Sequence, residues 1–182
     1  SLVAYTSLDV DNGIPYVAYQ DMANEAKTTV MKYTGEGATG WVPVGGEGFS
    51  DDAIAFTSLQ VDNGIPYVAY SEMEISGDQL LAKAIVMKYT GEGAAGWEPV
   101  GDLGSVAPLA GYTSLIVDNG IPYLAYSDGL EFDGATVMKY TGAGASGWES
   151  VGEPGFSADR ADFTSLHIHE GTPYVAYQDF EN

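Results

Sequence analysis

One carboxylate returns at the same place in four copies of a repeated segment. Asp21, Glu72, Asp128 and Asp179 each stand two residues after the second tyrosine of a Pro-Tyr-Val/Leu-Ala-Tyr run. Gathered at one face, such carboxylates would hold a cation or a polyol. The same residue types also cap turns by accepting hydrogen bonds from nearby backbone amides. Lys27 and Lys83 follow in the same segments and are placed to pair with Asp21 and Glu72. A second constellation is Asp9-x-Asp11-Asn12-Gly13, whose alternating oxygens would suit calcium. Only the first copy carries Asp9, its equivalents being Gln60, Ile116 and His167, and no bidentate acid follows at the spacing a calcium loop needs. A tight hairpin is the competing reading, and calcium is the one cofactor that these residues suggest. His167 and His169 alternate on one face of a strand, the arrangement that chelates zinc or copper. They occur in the last copy alone. Trp41, Trp97 and Trp148, with Tyr16, Tyr67, Tyr123 and Tyr174, offer faces that stack on sugar rings, or rings that pack between repeats.

Catalytic machinery is sparse. A sialidase needs several arginines to grip its substrate carboxylate, and this chain has Arg160 alone. No Ser-His-Asp arrangement is evident. The Gly-x-Gly turns lead into strands, so no helix N-terminus follows to cradle a phosphate. A carboxylate pair of the glycosidase kind stays open among 26 acidic residues. Near-identical repeats rarely host an asymmetric active site, and the expectation is that the chain is not an enzyme.

The elements that must position these residues follow from the repeat. Thr6, Thr57, Thr113 and Thr164 open a Thr-Ser-Leu segment at a period of about fifty residues, which marks one supersecondary unit per copy. In the first copy, a strand over Val3 to Val10 meets Asn12-Gly13, the strongest short hairpin signal. Pro15 marks the start of a second strand through Tyr16–Tyr19, as proline is tolerated there. A polar loop over Gln20 to Ala26, a third strand over Thr28 to Thr34, a glycine turn over Gly35 to Gly40 and a fourth strand over Trp41 to Val44 complete the unit. Three tight hairpins and one longer crossing, repeated radially, predict an all-β β-propeller built of four-stranded antiparallel blades. The expected blades are 1–48, 49–104 and 105–155, with a half-blade at 156–182. Copy two carries five extra residues between Tyr70 and Val86, expected as a loop around Ile75 to Leu81, either neutral or on a binding face.

Composition narrows the partners. Acidic residues outnumber basic ones 26 to 6, a net charge of −20, which repels nucleic acid and anionic membrane surfaces. No apolar run reaches the roughly 20 residues of a membrane span, so membrane insertion is not expected. Cysteine is absent, which removes disulfide and thiolate chemistry. Ser1 opens the chain without Met, consistent with a cleaved signal or with an excerpt of a longer protein. Closed propellers have about 4–8 blades. The expected partners are therefore the rest of a longer repeat chain, or other copies of this one added at the open edge, with glycans as candidate ligands.

The run Gly13-Ile14-Pro15-Tyr16-Val17-Ala18-Tyr19, then Val30-Met31-Lys32-Tyr33, then Gly40-Trp41, resembles propeller-type tandem repeats of large secreted or cell-surface bacterial proteins. The resemblance spans essentially the whole chain and implies an extracellular or cell-surface repeat module. Gly40-Trp41 sits where sialidase-like propellers place their Asp-box, but the Ser-x-Asp-x-Gly pattern is missing. The expected function is a non-enzymatic structural or adhesive module. A lectin-like propeller and a self-assembling subunit completed by strand addition are the alternatives.

Overall fold

The computed structural model describes residues 2–35, 39–76, 79–91, 95–103, 110–129 and 134–179. The boundary expected at 104/105, the tip of the copy-two insertion at 77–78 and part of the Gly35–Gly40 turn lie outside the described residues. The chain is an all-β propeller of antiparallel sheets. The first sheet holds β1 (Val3–Asp11), β2 (Ile14–Asp21), β3 (Lys27–Tyr33) and β4 (Trp41–Pro43) in sequence order. The second holds β5 (Ile54–Asp62), β6 (Ile65–Ser76), β7 (Gln79–Tyr89) and β8 (Trp97–Pro99). The third repeats the order with β9 (Ala110–Asp118), β10 (Ile121–Asp128), β11 (Ala135–Tyr140) and β12 (Trp148–Ser150). The fourth pairs β13 (Ala161–His169) with β14 (Thr172–Asp179). Asn12 and Gly13 both adopt positive φ, 49° and 78°, as the two-residue hairpin between β1 and β2 demands. The copy-two insertion does not form a loop. Its residues lengthen β6 and β7, whose pairing continues to Ser76↔Gln79, because the added backbone groups find partners in each other.

Each core lies between two successive sheets. Leu59, Val61, Val68 and Tyr70 of the second sheet pack against Tyr16, Ala18 and Val30 of the first. Burial here depends on the neighbouring blade rather than on the strand itself. Leu59 and Val61 are 5% and 6% exposed, whereas Leu8 and Val10, their equivalents on β1, are 64% and 52% exposed.

The seams are also riveted by polar groups. Ser7 Oγ accepts from the amide of Leu59 at 2.9 Å, Ser58 Oγ from Leu115 and Ser114 Oγ from Leu166 at the same distance. The hydroxyls of Thr57, Thr113 and Thr164 donate to the carbonyls of Tyr5, Phe56 and Tyr112. Thr-Ser-Leu therefore recurs because it ties each blade to the one before. At the outer rim, Trp97 Nε1 donates to the Val44 carbonyl at 2.8 Å and Trp148 Nε1 to the Val100 carbonyl at 2.6 Å. That approach explains Gly45 and Gly101. A Cβ at Gly45 would lie 1.9 Å from the Ala95 carbonyl oxygen, and one at Gly101 2.3 Å from that of Ser146.

Candidate functional site

The recurring carboxylates are spread over the sheets. Asp21 is buried, and its oxygens accept from the Ala23 amide at 3.0 Å, Asn24 Nδ2 at 2.8 Å and Thr29 Oγ1 at 3.2 Å. Glu72 Oε1 accepts from the amides of Asp51 and Asp52 at 3.0 and 3.1 Å. Burial pushes the Glu72 carboxyl above its usual range, against the lowering pull of those two amides. Asp128 and Asp179 end β10 and β14, as Asp21 ends β2. Lys27 pairs with Glu25 at 3.2 Å, and Lys83 with Glu74. The extended β6–β7 hairpin brings Glu74 within reach of Lys83.

The remaining candidates also have structural partners. Asp9 Oδ2 crosses a seam, accepting from Gln60 Nε2 at 2.8 Å and from the Val61 amide at 2.6 Å. Asp11 accepts from Asn12 Nδ2 at 3.0 Å, a contact that Asp62 with Asn63 and Asp118 with Asn119 repeat. His167 and His169 are exposed on β13, opposite Tyr174 and Thr172. Among the described residues, no group of three or more His, Asp or Glu is placed to hold a metal ion. Trp97 stacks on Phe49 with ring centres 4.5 Å apart, Trp148 meets Tyr140 at 5.5 Å, and the partly exposed Trp41 meets Tyr33 at 5.5 Å.

A different set of residues converges near the axis, at the end of the blades where the first strands begin. In every sheet the first strand carries a bulge: Tyr5-Thr6, Phe56-Thr57, Tyr112-Thr113 and Phe163-Thr164 each face a single residue of the partner strand. The aromatic residue takes φ of 48°, 55°, 49° and 52° in turn. A bulky side chain seldom adopts that left-handed backbone, and such strain concentrates at functional positions. The bulge turns the rings towards one another. Tyr5 and Phe56 lie 5.1 Å apart, Phe56 and Tyr112 4.6 Å, Tyr112 and Phe163 4.8 Å. These rings and their threonines line a pocket of about 360 Å³.

Beside this arc the repeat breaks. Ala4, Ala55 and Gly111 precede the aromatic residue in three blades, and Asp162 takes the place in the fourth. Asp162 is 3% exposed. Its two oxygens accept from Nε and Nη2 of Arg160, both at 3.0 Å, in a bidentate fork. Asp162 raises the Arg160 guanidinium further above its ordinary range, with Tyr112 adding to it. The fork faces a second pocket of about 310 Å³, walled by Phe56, Gly111 and Tyr112 and rimmed by Ser127 and Gly129. Among the described residues, Asp162 is the one carboxylate lining either pocket. Sequence reasoning passed over this site. The signal was a residue-by-residue alignment of the four copies, which isolates Asp162 at once.

No protein-family model matches the chain, and no curated protein matches it either. Solved structures do. A thermostable family-43 glycoside hydrolase superposes with a TM-score of 0.60 at 13% identity, over 96% of this chain and 65% of that one. A polysaccharide lyase of family PL25, an ulvan lyase, matches at 0.57 with 19% identity, over 93% and 44%. A mutant of Trypanosoma rangeli sialidase displaying trans-sialidase activity matches at 0.58 with 14% identity, over 92% and 27%. The likeness is one of fold. The chain spans less than two thirds of the length of each of these three.

These neighbours overturn the expectation of a non-enzymatic structural or adhesive module, since they are carbohydrate-active enzymes. The physical premise of that expectation fails as well. The repeat is itself asymmetric at this place, where Asp162 stands for Ala or Gly.

Proposed function

We propose that this chain supplies the substrate face of a carbohydrate-active enzyme, and that a sugar sits against Asp162 for cleavage of its glycosidic bond. The observation that carries the reading is a buried carboxylate, unique among the four repeats, facing a pocket walled by two aromatic rings. Aromatic faces pack against the C–H groups of a sugar ring. Asp162 is held in place by the Arg160 fork. It accepts hydrogen bonds from sugar hydroxyls and stabilises the positive charge that develops at the anomeric carbon, which is oxocarbenium-like in the transition state of glycoside cleavage. The fold likeness to glycoside hydrolases, a polysaccharide lyase and a sialidase supports the same substrate class. The test is the release of reducing ends from a panel of polysaccharides. At least one member is expected to be cleaved, with the rate of Asp162→Asn lower by about a hundredfold or more. Cleavage of none, or equal cleavage by the variant, contradicts the proposal.

A further inference from the structure

We infer that the pocket beside Asp162 selects uncharged sugars over acidic ones, and that the Arg160–Asp162 fork does the selecting; this rests on the carbohydrate reading above. Arg160 is the only arginine of the chain. Its Nε and Nη2 groups point at Asp162, which takes one of the two edges by which a guanidinium grips a uronate or sulfate in parallel hydrogen bonds, and Tyr112 engages the guanidinium as well. An acidic sugar must therefore compete with a carboxylate already in place. Drawing Arg160 away would leave Asp162 buried and unpaired, which is strongly unfavourable.

No second cation compensates. Among the described residues lining the two axial pockets, Arg160 is the one basic side chain. Lys32, Lys88 and Lys139 lie over the rings of Tyr16, Tyr67 and Tyr123, near the opposite ends of the strands. The net charge of −20 adds a repulsive field for any polyanion. An uncharged sugar meets neither obstacle. The remaining lone pairs of Asp162 accept from its hydroxyls, and the rings of Phe56 and Tyr112 cover its apolar face. The pocket volume of about 310 Å³ is at the small end of ligand sites, which run from roughly 300 to 1,000 Å³.

The test is binding of the full chain to an oligosaccharide array in which each backbone is present in a neutral form and in a uronate- or sulfate-bearing form, at fixed ionic strength. Neutral members are expected to bind, with their acidic counterparts at least about tenfold weaker. Asp162→Asn, which frees the guanidinium, is expected to narrow or reverse that ratio. Gly111→Val fills the pocket without touching the fork. A Cβ at Gly111 meets only Phe56, at an ordinary 3.7 Å, so the variant is expected to fold and to lose neutral-sugar binding. Acidic members binding as tightly as their neutral partners would overturn the selectivity and leave the carbohydrate reading standing. Unchanged binding by Gly111→Val would overturn the placement in this pocket. An array with no bound member would overturn the carbohydrate reading and the inference together.

Discussion

Three seams join the four sheets, and their axial ends are not alike. At the first, the Gln20 amide donates to the Ile54 carbonyl; at the second, the Ser71 hydroxyl donates to the Ala110 carbonyl. Both ends are closed by a buried polar side chain beside Ala or Gly. At the third, the buried Ser127 borders a pocket, and Asp162, forked with Arg160, stands where the other blades carry a small apolar residue. The serine and threonine rivets lower in the seams are the same in all three. What repeats is packing, and what departs from the repeat at the axis is available for chemistry.

That contrast predicts a separation of effects. Leu59→Ala, in a repeated seam, is expected to cost about 2–5 kcal/mol of stability, as for large-to-small changes in a core. Leu8→Ala, at the equivalent but exposed place on β1, is expected to change stability by less than about 0.5 kcal/mol. Chemical denaturation of the pair reads both, and equal costs would break the account of the seams. Asp162→Asn is expected to reduce glycoside cleavage by about a hundredfold or more with little loss of stability, because the Arg160 left behind is half exposed, at 57%. Ser58→Ala removes one seam rivet and is expected to cost about 1 kcal/mol, leaving sugar binding unchanged.

The smallest effect concerns Glu72. Its carboxyl is raised by burial in the folded chain, so the protonated form is favoured there. The stability this gives is fully present below the ordinary glutamate range and is lost as pH rises through the folded value. Gln keeps an oxygen for the Asp51 and Asp52 amides without the charge. Glu72→Gln is thus expected to melt slightly above the parent at pH 7 and level with it near about pH 4. A thermal melt at the two pH values checks the sign.

Much of the scaffold was legible in the residues. Asn12-Gly13 and its copies announce the hairpins because few residues tolerate two successive positive φ angles. Pro-Tyr-Val-Ala-Tyr reads as a strand from its aromatic and β-branched content. The lengthened β6–β7 hairpin was not legible as strand, since Ser76 to Gln79 carries turn-like chemistry and only backbone pairing decides. The axial site was harder still. Tyr5, Phe56, Tyr112 and Phe163 read as ordinary strand aromatics, and nothing in their composition signals the bulge that turns them inward. Asp162 is visible as a departure from the repeat, but the near-identity of the copies elsewhere reads against an asymmetric site. Arg160, the one arginine of the chain, reads as too few for a sialidase and not as half of a fork.

The most direct test of the central claim is the crystal structure of the chain with a bound oligosaccharide taken from whichever polysaccharide it cleaves or binds best. The account predicts a sugar ring in the pocket between the third and fourth blades, against Phe56 and Tyr112, with a hydroxyl in hydrogen-bond reach of Asp162. A sugar held instead at the outer rim by Trp41, or at the Glu72 turn, with that pocket empty, would contradict it.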